Sequence, residues 1–460
     1  MEGFLNRYTE KAMFDSLLAN DKASFAIVYG RRRIGKSSLL RQILKTNGIY
    51  FLADLTEKSI QIENLAIAIS SVIPDFDKVH YPSWEILFTS FNNQLKSKTT
   101  LVLDEFPYLV SSASELPSII QKLVDLSKHD KFNLIVCGSS QQMMRNLFLG
   151  TTSPLYGRAD AIANITAMNA YWIKEYLHCS AVESVKEFAT WGGVPRYWEI
   201  RKQYKSLKEA LKNSIFDKNG ILFEEPMRLF LDDMRSVVQA YSIVQLVGNG
   251  NHRISEIAAK LEKPATHFSR PLANLIEMGY LKKEIPFGEP ERDSKKSLYQ
   301  IADPFLNFYM QFVSPNKSLI ELGLWDVISE QMEIKLPHLY ANVWENLVRQ
   351  SIPNLKVYDD IQFGKAYRYW GKPDKKNEIE IDVLAESIDK STLLIGEVKW
   401  SNKPNVFAIE KSLDSKLQIL GIAHQYKRVI RCIFSISKPT DVQSNSMHYF
   451  DCEDVISVLK

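Results

Sequence analysis

The sequence predicts an α/β protein: a parallel sheet under helices at the N-terminal end, a helical middle, and a second α/β unit at the C-terminal end. Three observations carry this. Up to about residue 165, short apolar runs at 25–29, 48–52, 101–103, 133–137 and 161–165 alternate with amphipathic stretches, the pattern of strands covered by helices. From about 166 to 320 the texture is mostly helical, and long apolar runs become rare. From about 335 a helix leads into alternating strands again.

A chain of 460 residues is too long for one ordinary core, so several domains are expected. We divide it at 1–165, 166–235, 236–315 and 316–460, and read the turn-rich Ser314-Pro315-Asn316-Lys317 as the linker. Hydrophobic residues make up 45% and charged residues 24%, as in soluble globular proteins. The net charge of +3 neither requires nor excludes nucleic acid, so any basic surface has to be local. Cys137, Cys179, Cys432 and Cys452 are scattered, with no CxxC and no zinc spacing, and read as reduced thiols. The N-terminus lacks the apolar stretch of a signal peptide, and no run reaches the length of a membrane span, so a soluble cytoplasmic protein is expected.

The run Gly30-Arg31-Arg32-Arg33-Ile34-Gly35-Lys36-Ser37 matches GxxxxGK[ST] in full, between an apolar strand and the helix that Ser38 continues. The glycines let the backbone wrap close to phosphate, so amides and the helix N-terminus point at its oxygens. This is a P-loop, and it implies ATP with Mg2+ as the ligands. Lys36 is positioned for the β- and γ-phosphates, and the Ser37 hydroxyl for the magnesium. The strand 101–103 ends in Asp104-Glu105, taken to lie beside the P-loop strand. Asp104 fits the metal's outer shell, and Glu105 the base for an attacking water. The strand 133–137 ends in Gly138-Ser139-Ser140, where Ser139 is the side chain chosen to touch the γ-phosphate or the water. Arg158, in Leu-Tyr-Gly-Arg, is either a solvated arginine or an arginine finger acting in cis or on a neighbouring subunit, the latter requiring a homo-oligomer.

Phe4…Arg7…Glu10, the P-loop, Leu-Asp-Glu, Gly-Ser-Ser, Leu-Tyr-Gly-Arg and Gly192-Gly193-Val194-Pro195 together resemble the archaeal-type ATPases of the STAND branch of the AAA+ class. The resemblance implies a lid motif at Gly-Gly-Val-Pro, with Pro195 closing over the nucleotide. It runs through Ala302-Asp-Pro-Phe-Leu-Asn-Phe-Tyr309 into a C-terminal region similar to a domain of unknown function that often ends such ATPases.

In the middle, 254–261 and 265–280 read as helix, turn, helix, with Ser255 as N-cap. The apolar side chains are Ile257, Ala258 and Leu261 on the first helix, and Leu272, Leu275, Ile276 and Met278 on the second. Strands at 281–285 and 297–301 around a charged wing complete a winged-helix pattern. Such a module either enters a DNA major groove or serves as a spacer.

Near the C-terminus, Glu378-Ile-Glu380-Ile-Asp382 and Glu397-Val-Lys399 alternate charge with hydrophobe. A hairpin turning at Asp389-Lys390 sets Asp382 opposite Glu397 and Glu380 opposite Lys399, gathering acids and one amine on one face. Acids paired across strands are unfavourable on an ordinary sheet, which argues for a cation such as Mg2+. The alternative is a solvated acidic face. The arrangement resembles the core of PD-(D/E)xK nucleases, with Glu345 matching the extra acid of that superfamily and Lys399 its lysine. On the following helix, Lys411, Lys416 and Gln418 stand without a clear choice for the remaining polar position. The expectation is thus an ATPase coupled to a Mg2+-dependent nuclease-like domain acting on nucleic acid, DNA rather than RNA. The alternative is an ATP-dependent switch or DNA-binding regulator with an inert nuclease fold.

Overall fold

A computed structural model describes residues 5–44, 48–126, 129–234, 236–290, 296–357, 360–373, 377–439 and 447–460. Phe4 of the opening motif and residues 291–295 of the expected wing lie outside the described residues. The chain packs as two compact units. The first holds 1–167 with 194–196 and 229–235, and the second holds the rest.

The first unit is built on strands β1 (Phe25–Tyr29), β2 (Ile49–Leu52), β3 (Thr99–Asp104), β4 (Phe132–Gly138) and β5 (Ala161–Asn164). All pair in parallel, in the order β2-β3-β4-β1-β5. The five runs marked in the sequence are these five strands. β1 and β4 are buried along their whole length, as parallel strands covered on both faces require. One expectation is corrected: β3 is not beside the P-loop strand, because β4 lies between them. On one face Phe25, Ile27, Leu101 and Leu134 pack with Leu65, Trp84 and Phe88. On the other, Val28, Val102 and Ile135 pack with Leu39, Leu40 and Phe14.

In the second unit, Ala170–Leu177, Ala181–Trp191 and Leu207–Ser214 are helices, as the texture predicts. The Gly192-Gly193 pair has a backbone reason. Gly192 has φ 62° where it ends the helix, and an ideal Cβ on Gly193 would stand 1.9 Å from the Met168 carbonyl oxygen. The same approach lets the Met168 amide donate to the Gly193 carbonyl at 2.9 Å. Pro195 follows as the first residue of the helix Pro195–Arg201.

The helices Ile254–Lys260 and Ser269–Glu277 precede an antiparallel pair, β6 (Leu281–Glu284) and β7 (Leu298–Ile301). Ile257, Ala258, Leu272, Leu275 and Met278 are buried as expected, while Leu261 and Ile276 are half-buried. Ser255 is not the N-cap. The helix starts two residues earlier than that cap would place it, after Arg253, whose amide donates to the Glu256 carboxylate at 3.0 Å. Residues 314–317 are not a linker either. Ser314–Asn316 is a 3-10 turn continuous with helix on both sides, and the Ser314 hydroxyl accepts from Gln245 at 3.0 Å.

The C-terminal sheet comprises β8 (Tyr367–Gly371), β9 (Ile379–Glu386), β10 (Thr392–Val398), β11 (Arg428–Phe434) and β12 (Met447–Phe450), in the order β12-β11-β10-β9-β8. β8, β9 and β10 are antiparallel neighbours, and β10, β11 and β12 parallel ones. Ile409, Leu413 and Leu417 of the helix Val406–Leu420 pack on Ile381, Leu393, Ile395 and Ile433. All four cysteines are free thiols. Among the described residues no helix is long and apolar enough to cross a membrane. We predict that Gly193→Ala, by driving a methyl into the Met168 carbonyl, costs about 2–4 kcal/mol, read as a lowered thermal midpoint.

Candidate functional site

Between β1 and the helix Lys36–Ile43, the backbone turns through φ 155° at Gly30, 67° at Arg33 and 95° at Gly35. An ideal Cβ at Gly30 would lie 2.3 Å from the Ile165 carbonyl, whereas none of the protein's atoms comes within 4 Å of one at Gly35. Gly30 is therefore demanded by packing. Gly35 is demanded by its conformation, and it leaves open the concavity a phosphate needs. Arg31 is buried, Arg32 exposed, and Ile34 sits in the core. The Lys36 ammonium, 6% exposed, donates at 2.9 Å to the carbonyls of both Gly30 and Arg31. Ser37 and Ser38 are exposed on the helix's first turn.

Asp104, 1% exposed at the end of β3, is the centre of the site. Its Oδ2 accepts from the Ser37 hydroxyl at 2.8 Å and from the Tyr50 hydroxyl, and its Oδ1 accepts from the Glu105 amide at 2.9 Å. Burial, then the bond to Asp104, pushes the Tyr50 phenol up from its ordinary value, so Tyr50 is a constant donor. The hydroxyl and carboxylate are hard oxygen ligands brought to one point, and this donor set fits magnesium.

Glu105 has φ 53°, a left-handed conformation that costs a non-glycine residue about 1 kcal/mol. It turns the carboxylate toward β4, where Oε2 accepts from the Ser139 hydroxyl at 2.9 Å and amide at 3.3 Å. Ser139 thus acts on the candidate base. Arg158 is held by Asp125, with Nε to Oδ1 at 2.8 Å and Nη2 to Oδ2 at 3.0 Å. Arg7, which no motif rule assigns a role, is 4% exposed and donates to the carbonyls of Ile34 and Thr166 at 3.3 and 2.5 Å. It ties the N-terminal segment to the P-loop. Tyr50 escaped the sequence reading because a strand tyrosine gives no spacing signal, and Arg7 entered it only through the family resemblance, with no role of its own.

In the C-terminal sheet, β9 and β10 pair as Leu393↔Glu386, Leu394↔Ala385, Ile395↔Leu384 and Gly396↔Val383, the register expected from the Asp389-Lys390 turn. One step further along lie Asp382 and Glu397, each 8% exposed. The Val398 amide donates to Asp382 Oδ2 at 2.9 Å. Glu397 accepts from Lys399 on Oε1 and from Lys416 on Oε2, each at 2.7 Å. Of Lys411, Lys416 and Gln418, it is Lys416, on the helix Val406–Leu420, whose ammonium stands on the Glu397 carboxylate.

Glu380 departs from expectation, since it pairs with Arg368 of β8. Burial and then Glu397 push the Asp382 carboxyl up; burial pushes Glu397 up too, but its two lysines outweigh this and hold it down. Glu345, on the helix Trp325–Ser351, is pushed up to about 7 by burial and then by Asp382. Among the described residues no three acidic, His or Cys side chains stand together as a metal site.

The parallel sheet, the P-loop and the carboxylate-tipped β3 together define a P-loop ATPase fold, with a separate sheet domain at the C-terminus. Residues 4–190 match the family described as an ATPase domain predominantly from Archaea. Residues 309–411 match the family of archaeal and bacterial proteins of unknown function. The first match lies in the N-terminal part of the chain and the second in the C-terminal part. An uncharacterized protein of Methanocaldococcus jannaschii is 28% identical over 91% of this chain and 93% of its own. The Walker-type ATPase of Pyrococcus abyssi shares the fold, with 20% identity, 67% of this chain and 96% of that chain covered, and a TM-score of 0.53. A signal transduction ATPase with numerous domains from Pyrococcus horikoshii aligns over 76% of this chain and 51% of its own at 15% identity and a TM-score of 0.34, too low to compare folds.

Glu345 gives a pH prediction. Its folded pKa of about 7 lies above its ordinary 4.5, so the folded chain binds this proton more tightly than the unfolded one. The stability it contributes is present below about pH 4.5 and is lost as pH rises through 7. Glu345→Gln should therefore raise the thermal midpoint by about 2–4 °C at pH 8 and leave it nearly unchanged at pH 5.

Proposed function

We propose that this protein hydrolyses ATP with magnesium and that nucleotide state governs a PD-(D/E)xK-like C-terminal domain acting on nucleic acid, DNA in preference to RNA. The observation that carries the ATPase reading is the convergence of Ser37, Tyr50 and the Glu105 amide on Asp104, with Glu105 itself held by Ser139. In this reading the Lys36 ammonium exchanges two backbone carbonyls for the β- and γ-phosphates. Ser37 and Asp104 hold magnesium, which when bound neutralises phosphate charge. Glu105 takes the proton of the attacking water, while Ser139 sets the carboxylate's direction. Pro195 is assigned to the lid, in keeping with the STAND-type resemblance, and β6 and β7 with their two helices to a winged helix. Arg158 is assigned to the γ-phosphate of a neighbouring copy, for which it has to leave Asp125.

For the C-terminal domain, support comes from the β9–β10 register together with Lys399 and Lys416 on one carboxylate, and Glu345 beside Asp382. In the nuclease reading Glu345, Asp382 and Glu397 serve a divalent metal and Lys399 the water. A second reading, an ATP-driven switch with an inert fold, is favoured by a different observation: both Glu397 oxygens are already neutralised by ammonium groups.

Two measurements follow. Lys36→Ala should lose ATP binding, and Glu105→Gln should keep binding yet lose at least about 100-fold in turnover. Wild-type turnover by Glu105→Gln would remove the assigned base. In the same assay, Arg158→Ala should lower turnover only at protein concentrations where copies associate. Second, magnesium-dependent nicking of DNA by the intact protein should vanish in Lys399→Ala and persist in Glu105→Gln. Absence of nicking, with no manganese density between Asp382 and Glu397 in soaked crystals, would leave the switch as the function.

A further inference from the structure

Beside the C-terminal acid cluster, the second unit holds a partly open cavity of about 370 Å³, a volume within the range of small-ligand sites. Three elements wall it: β6 with Lys282, Lys283 and Glu284, the helix Trp325–Ser351 with Asn346 and Arg349, and the start of β8 with Lys365 and Arg368. The Phe287 amide bonds the Arg368 carbonyl at 2.9 Å, fixing the segment after β6 to β8. Five cationic side chains line the space against a single carboxylate, Glu284.

The cations are drawn in rather than spread on the surface. The side chains of Arg349 and Arg368 are 9% and 23% exposed, and that of Glu284 12%. Lys282 donates to Asn346 Oδ1 at 2.5 Å, and Arg349 to the same oxygen at 3.0 Å. The ion pairs that partly offset this charge are loose: Arg349 stands 3.7 Å from Glu284 and 3.6 Å from Glu345, and Arg368 3.9 Å from Glu284. The tight contact is that of Arg368 with Glu380. Burial, countered in part by Glu284 and reinforced by Arg349 and Arg368, brings Lys282 down to about 8. That shift is the mark of crowded like charge in a poorly solvated place.

We propose that this cavity binds the phosphate group of a small phosphorylated ligand of nucleotide size, with Lys282, Arg349 and Arg368 as the contacting side chains. Two planar guanidiniums and an ammonium match the several oxygens of a phosphate better than a single carboxylate. A recessed, partly open pocket of this volume suits a small molecule, whereas the backbone of a polymer needs an exposed stripe of charge. The site is distinct from the P-loop and independent of the nuclease reading. Its link to the acid cluster is Arg349, whose Nη1 donates to the Asp382 carbonyl at 2.9 Å. A ligand that draws on Arg349 therefore acts on the strand that carries Asp382.

The test is calorimetric titration of the full chain carrying Lys36→Ala, which removes the P-loop as a phosphate site. Inorganic pyrophosphate, AMP and an oligothymidylate are the probes. Pyrophosphate or AMP should bind with one-to-one stoichiometry, and Arg368→Gln should weaken this at least about tenfold. If Arg368→Gln fails to fold, Lys282→Gln, which removes a second contacting cation, gives the same readout: weakened binding supports the site, and unchanged binding overturns it. No binding of either small probe, binding unaffected by Arg368→Gln, or binding of the oligothymidylate alone each overturns the proposal. The last outcome would make the patch a nucleic-acid surface, and the first an ion-pair network only.

Discussion

A buried carboxylate that has to be satisfied organises the nucleotide site. Asp104 is 1% exposed, and an ionised group so placed is tolerable only if its oxygens are all engaged. Each donor comes from a different part of the fold: Ser37 from the P-loop helix, Tyr50 from β2, and Glu105 from the turn after β3. One acid therefore ties together the P-loop helix, a neighbouring strand and the turn after β3. It does so although β4 separates β3 from the P-loop strand, because Ser37 projects from the helix across that gap.

The same tie explains the strain at Glu105. With its amide committed to Asp104, the residue takes up the left-handed conformation that lets its own carboxylate reach Ser139. The cost of about 1 kcal/mol is small beside that of an unpaired acid near a phosphate site. Strain of this size is usual where a side chain has to be aimed rather than merely accommodated.

What was legible in the sequence divides along physical lines. The five parallel strands were legible because buried strands are continuous apolar runs of a recognisable length. The P-loop was legible because its chemistry fixes both residue types and spacing. The β9–β10 register was legible because a turn at Asp389-Lys390 leaves a strand pair no freedom. Strands β8, β11 and β12 had less pattern to offer, since half-buried mixed residues such as those of Tyr367–Gly371 do not alternate cleanly. The choice of Lys416 over Lys411 and Gln418 depends on how the helix Val406–Leu420 is rotated on the sheet, which its apolar face alone does not fix. Ser314–Lys317 misled for the converse reason. Its composition is that of a turn, and it is one, but a turn embedded in helix and anchored by Gln245.

The C-terminal cluster is a balance between two ways of making buried acids tolerable. Asp382 and Glu397 face each other from neighbouring strands, an arrangement that an antiparallel sheet penalises unless positive charge sits between or beside them. Lys399 and Lys416 supply that charge to Glu397, one on each oxygen, and act on Asp382 from further off; Asp382 accepts from the Val398 amide and stays pushed up, by burial and then by Glu397. The lysines therefore compensate one acid fully and the other incompletely, and Glu345 adds a third carboxyl whose own ionisation is resisted by Asp382. A divalent cation would relieve the second acid and the third together, but only by drawing at least one lysine off Glu397. Which of these compensations prevails is set by the competition of two ammonium groups with any such cation for a single carboxylate.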